Sequence, residues 1–166
     1  PIDIIERLRG PANSTVSLLV KSPDGNERNI NVTRERLTAN DMVRYTYLPM
    51  TKTGLIRIPM NGNSNILQDI LISMEDLQNT YTAENLIIDL RIAHSNYDWP
   101  LNEMLALFGN GNMGTIYTRN ESYEIIVDGQ NITKSQEIPL VLLIGPDTKG
   151  PSEIFAAALQ NKGRAI

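Results

Sequence analysis

The spacing of apolar and polar residues changes twice along the chain. Ile2, Ile5 and Leu8 recur at helical intervals and predict a short helix that Gly10-Pro11 ends. Alternation then takes over: Thr15–Lys21 and Glu27–Thr33 predict two strands joined through Ser22-Pro-Asp-Gly-Asn26. In that turn the proline fixes φ and the glycine accepts positive φ. One helix and a two-stranded ribbon cannot close a core, so this stretch predicts the back half of a small β-rich domain. Arg34–Tyr47 predicts a polar connector.

From Leu48 the pattern becomes strand, helix, strand. Gly54–Pro59 predicts a strand, and Asn61–Asn65 a turn with Ser64 or Asn65 as helix cap. Ile66, Ile70, Met74 and Leu77 then mark one helical face through about Gln78. Leu86–Arg91 is a short, nearly all-apolar run, as expected of a strand covered on both faces of a parallel sheet. Leu101–Phe108 predicts a further helix, Gly109–Gly114 a turn, Thr115–Val127 a strand or hairpin, and Leu140–Ile144 a second buried strand. This alternation implies an α/β core with a mixed, partly parallel sheet. Binding sites in such sheets gather at the carboxyl ends of strands, here after Arg91 and after Ile144.

Composition narrows the chemistry. The chain has 166 residues, 41% hydrophobic and 20% charged, enough to bury a core. Its formal net charge of -4, without a Lys/Arg cluster interleaved with aromatics, argues against nucleic-acid partners. No apolar run is long enough for a transmembrane segment, and Pro1–Glu6 lacks the layout of a secretion signal. Beginning at Pro1 without Met, the chain is expected to be a piece of a longer protein. Without Cys there is no thiolate catalysis, and His94 is the sole His, so no metal site and no cofactor is expected.

The most informative stretch is Leu140–Ile144 followed by Gly145-Pro-Asp-Thr-Lys-Gly-Pro-Ser-Glu153 and the helical Ile154–Gln160. In a strand-loop-helix of this kind the amides at the helix start face whatever occupies the loop, a natural seat for a nucleophile or an anion. Gly150 brings no side chain there and Pro151 no backbone N–H. Asp89, inside an apolar strand, is expected to be held in an ion pair or hydrogen bond. Trp99 and Tyr97 form either an exposed aromatic edge or a lid.

Several segments, in this order, resemble the C-terminal processing (tail-specific) serine peptidases. Arg9–Leu18 is similar to their "LRGPxGTxVxLxV", Thr53–Ile58 to "GYIRI", Asn85–Arg91 to "GLILDLR", and Ser152–Ala165 to "SEIxAxALQDxGRA". The resemblance implies a core of the ClpP/crotonase type preceded by the C-terminal part of a PDZ-like domain. The domains would be 1–37, PDZ-like; 38–47, linker; and 48–166, a peptidase-like core truncated at its C-terminus. It further implies serine-type proteolysis, a peptide or unfolded polypeptide segment as partner, and an extracytoplasmic location.

The family works with a Ser-Lys dyad, in which the lysine takes the proton of the attacking hydroxyl. Aligning Ser152-Glu153 on the family's "NEGSASASE" loop puts the nucleophile position at Gly150, and the lysine would lie beyond Ile166. The oxyanion donors would come from Pro151, which has no N–H, and from the loop holding Ser95 and Asn96, where the family has a glycine pair. Losing one such donor typically lowers the rate by about 100- to 1000-fold. Three functions remain open: a degenerate peptidase, an active one using a rearranged nucleophile such as Ser152, and a non-proteolytic peptide- or lipid-binding module. Bland readings stand beside the sharp ones. Ser152 fits a first-turn helix residue, Thr148 and Lys149 a turn in place of an improvised catalytic pair, and His94 with Ser95 and Asp98 a solvated loop in place of a triad.

Overall fold

The computed structural model describes residues 10–11, 13–34, 42–60, 65–95 and 99–166. The predicted helix at Ile2, Ile5 and Leu8 lies outside them, as do Ser64, Asn96, Tyr97 and Asp98. Contacts divide the chain into two units, Pro1–Thr38 and Ala39–Ile166.

In the first unit, β1 (Thr15–Lys21) and β2 (Glu27–Thr33) pair antiparallel from Thr15 opposite Thr33 to Lys21 opposite Glu27. The turn forms as the sequence predicts. Gly25 takes φ 87°, and the Asp24 carboxylate accepts from the Asn26 amide at 3.2 Å. Leu19 and Val32 remain exposed, so the ribbon buries little apolar area of its own.

The second unit is α/β. A four-stranded sheet has the order β3 (Arg44–Leu48), β4 (Thr53–Arg57), β5 (Asn85–Asp89), β8 (Leu140–Leu143). The β3–β4 pair is antiparallel; β4–β5 and β5–β8 are parallel. Helices α1 (Ile66–Asn79), α2 (Leu101–Phe108) and α3 (Pro151–Asn161) alternate with the strands. A separate hairpin, β6 (Gly111–Tyr117) with β7 (Ser122–Val127), follows α2. The sheet is therefore mixed and partly parallel, as the strand-helix alternation predicts.

Pleating sorts the strand side chains onto two unlike faces. Ile56, Leu86, Ile88 and Leu140 join one core with Ile70 and Leu77 of α1, Met104 and Phe108 of α2, and Phe155 and Leu159 of α3. On this face Gly54 is required by closeness, because a Cβ there would lie 2.7 Å from the Leu77 side chain. The opposite face carries Leu55, Ile87, Val141 and Leu143, all half-buried and outside that core.

Four expectations change. The predicted connector Arg34–Tyr47 ends in a strand, β3; its polar positions Arg44 and Thr46 lie on the open face, while Tyr45 pairs opposite Ile56. The Gly109–Gly114 turn is instead the start of β6: Gly111 (φ 78°) and Gly114 (φ 139°) flank a register shift, the usual work of glycine at a bulge. Of the predicted buried strand Leu140–Ile144, Leu140 alone is buried and Ile144 is 63% exposed. There β8 has β5 on one side and only the backbone of Ile166 on the other. Finally, Asn65 takes the N-cap position of α1 without a side-chain cap bond.

Candidate functional site

The carboxyl ends of β5 and β8 meet at the start of α3. The loop after β5 lies against the loop before α3 through a parallel bridge between His94 and Lys149. The Ser95 amide donates to the Lys149 carbonyl at 3.0 Å, and the Lys149 amide to the Ala93 carbonyl at 3.4 Å. The amides that a reacting oxygen would need are thus turned into the protein.

Gly150 is the N-cap of α3, with φ 74° and ψ -143°, and Pro151 begins the helix. Pro suits that first helical position because its missing N–H would have had no helical acceptor. A Cβ built on Gly150 would lie 2.4 Å from the Ser95 carbonyl oxygen, a backbone atom that cannot swing aside. With positive φ added, no L side chain fits this position without rebuilding the loop.

Three hydroxyls surround this point, and all are engaged. Ser95 Oγ donates to the Lys149 carbonyl at 3.0 Å and accepts from the Ser152 amide at 2.8 Å, capping α3 from another loop. Ser152 is fully buried; its Oγ donates to the carbonyls of Ala93 and Lys149. Thr148 Oγ1 donates to the Leu90 carbonyl at 2.7 Å and accepts from the Gly145 amide at 2.9 Å. Lys149 points elsewhere, its Nζ 4.0 Å from Asp147, so Thr148 and Lys149 do not converge. His94 is exposed beside the buried Ser95, whose hydroxyl is tied to backbone groups. Asn96, the remaining oxyanion-loop position, and Asp98 lie outside the described residues.

Trp99 is 7% exposed and meets Phe155 edge-on at 5.6 Å between ring centroids, so it belongs to the core and not to an exposed edge. Its apolar neighbours on α3 could have signalled this, since Phe155 and Leu159 recur four apart. Beside α3 a cleft of about 270 Å³ opens at the end of β8, lined by Leu142, Ile144, Thr148, Glu153 and Gln160 among others. Among the described residues no group of three or more His, Asp or Glu is placed to hold a metal ion, and no helix is long and apolar enough to cross a membrane.

Asp89 closes β5. Its carboxylate, 2% exposed, takes Arg91 Nε at 2.9 Å, Arg91 Nη2 at 2.8 Å and Arg57 Nε at 3.2 Å, as well as the Arg91 amide at 3.1 Å. The Arg91 hydrogen bonds outweigh burial and hold the Asp89 carboxyl down at about 2. The ion pair expected of an acid in an apolar strand is present.

The model of peptidase family S41 matches residues 52–166. A carboxyl-terminal-processing protease of Picosynechococcus sp. is 34% identical over 96% of this chain and 38% of its own length. Carboxyl-terminal-processing peptidase 2, chloroplastic, of Arabidopsis thaliana is 29% identical over 99% of this chain and 33% of its own length. A solved photosystem II D1 C-terminal processing protease superposes with a TM-score of 0.69 at 24% identity, covering 99% of this chain and 46% of that one. The chain thus spans less than half the length of each.

Proposed function

The chain belongs to peptidase family S41, and we propose that it comes from a member that keeps the polypeptide-handling fold of the carboxyl-terminal-processing proteases without their nucleophile. One observation carries this reading. The nucleophile position, Gly150, has no side chain, and the space a side chain would enter is filled by the Ser95 carbonyl oxygen at 2.4 Å.

The neighbouring groups support it. Pro151 offers no amide to a developing oxyanion, and the Ser95 and Ser152 amides are already donated. Ser152, as a rearranged nucleophile, would have to leave full burial and break bonds to two carbonyls. A hydrophobic-ligand module calls for an enclosed apolar cavity, whereas the cleft beside α3, at about 270 Å³, falls below the usual ~300–1,000 Å³ of small-molecule sites. The partner we assign is accordingly a peptide or unfolded polypeptide segment. The same proposal includes residues 1–37 as the close of a PDZ-like domain, a core running to Ile166, and an extracytoplasmic setting.

The test is incubation of the intact protein with an unfolded polypeptide, and separately with a serine-directed phosphonate. Neither cleavage nor an adduct is expected. Cleavage that survives purification and disappears on substitution of Ser152, or a phosphonate on Ser152, overturns the proposal in favour of an active peptidase.

A further inference from the structure

The open face of the sheet ends in a row of charge that the reading above does not use. Arg44 of β3 stands directly opposite Arg57 of β4, and Arg57 is in register with Asp89 of β5. Opposed residues in an antiparallel pair have Cβ atoms about 4.5–5.5 Å apart, and like charges there repel. Arg91, two residues past Asp89, returns to the same carboxylate. Three arginines therefore share one carboxylate, leaving two positive charges in surplus in a chain of net charge -4.

The donors are not exhausted. Arg57 gives Asp89 only its Nε, and Arg91 its Nε and Nη2, while both side chains remain about half exposed, at 53% and 54%. Arg44 is exposed and has no acidic partner among the described residues. Asp89 fixes Arg57 and Arg91, so their remaining N–H groups are held in place before any ligand arrives. Adjoining the charge is the half-buried apolar row of Leu55, Ile87 and Val141, which are in register across β4, β5 and β8, with Leu143 beside Asp89.

We infer that Arg44, Arg57 and Arg91 form a carboxylate-binding site, and that its occupant is a polypeptide whose free terminal carboxylate lies on the arginines while its neighbouring apolar side chains cover Leu55, Ile87 and Val141. Guanidinium pairs favour the planar, two-oxygen geometry of a carboxylate. The charge surplus selects an anion, and the apolar row selects an occupant with more than charge to offer. This inference rests on the proposed polypeptide-holding function and adds to it which end of the polypeptide is held.

The experiment titrates the intact protein with a fluorescently labelled apolar peptide ending in a free carboxylate, followed by anisotropy. The same peptide with an amidated end and inorganic phosphate as competitor form the other arms. The free acid is expected to bind at least about tenfold more tightly than the amide, the gap expected when charge-assisted hydrogen bonds are lost. Arg44→Gln, which leaves the Asp89 bonds intact, is expected to narrow that gap severalfold with an unchanged circular dichroism spectrum. Equal binding of acid and amide, or a gap unchanged in Arg44→Gln, overturns the inference. Phosphate competing as strongly as the free acid overturns the polypeptide as occupant, since the site would then serve any small anion. Absence of peptide binding likewise overturns the inference and leaves the loss of the nucleophile standing; cleavage of the peptide sinks the latter and leaves the carboxylate dependence to be read.

Discussion

The start of α3 and the arginine row lie at the carboxyl ends of strands in the same sheet, yet they treat their polar groups in opposite ways. At the helix start Ser95, Thr148 and Ser152 all point inward, and each hydroxyl donates to a backbone carbonyl. In the row Arg44, Arg57 and Arg91 keep exposed guanidinium groups around a single acid. A polar group that is buried and fully bonded maintains the fold, and disturbing it registers as lost stability. A charged group with donors left over, held on a rigid strand, contributes little to stability and is free to meet a ligand. The location at the end of a strand, which suggests a site in both cases, does not separate them; the hydrogen bonds do.

The largest expected effect breaks the closed side of this comparison. Gly150→Ser places a Cβ against the Ser95 carbonyl at positive φ, and it is expected to lower unfolding free energy by about 3 kcal/mol without creating peptidase activity. Urea denaturation and a cleavage assay read the two parts; a stable, active Gly150→Ser protein would mean that the crevice is not closed. Ser152→Ala comes next. It strips two buried carbonyls of a donor and should reduce stability by about 2 kcal/mol, with no change in any activity the intact protein shows.

Acid titration bears on both sides. Asp89 has a folded pKa near 2, below the model value of 3.8, so its charge stabilises the fold above about pH 4 and that contribution disappears as pH falls toward 2. The loss is on the order of 2 kcal/mol. Thermal melts at pH 5 and pH 2.5 should show it, and Asp89→Asn should remove much of the difference. The smallest effect sharpens the open side. Arg44→Gln relieves the repulsion opposite Arg57 and should raise the urea midpoint slightly at low ionic strength, an increase that fades as salt is added.

Much of the second unit was legible before any coordinates, for a physical reason. Leu101–Phe108 and Ile66–Asn79 show the helical period because one face of each meets the core, and burial writes that period into the sequence. Strand β3 was missed because its Arg44 and Thr46 stand on a face that nothing among the described residues covers. The side chains there read as connector. The site divides in the same way. Gly150 and Pro151 were legible as the absence of a side chain and of an amide, whereas the plug at Gly150 was not, because the blocking atom is a backbone oxygen of Ser95, 55 positions earlier. A backbone atom leaves no mark in residue identity. The arginine row was equally hidden, since Arg44, Arg57 and Arg91 become neighbours only through strand register.

The clasp at the start of α3 also bears on how the chain folds. Its hydrogen bonds join residues 54 to 59 positions apart, so none can form until β5 and β8 have aligned, and contacts so distant along the chain slow the search for the native state. The Ser152 amide is therefore a natural clock. In a pulse-labelled refolding experiment it should become protected from solvent deuterium only after the amides within α1, and its protection would mark the moment at which the two halves of the core have found each other.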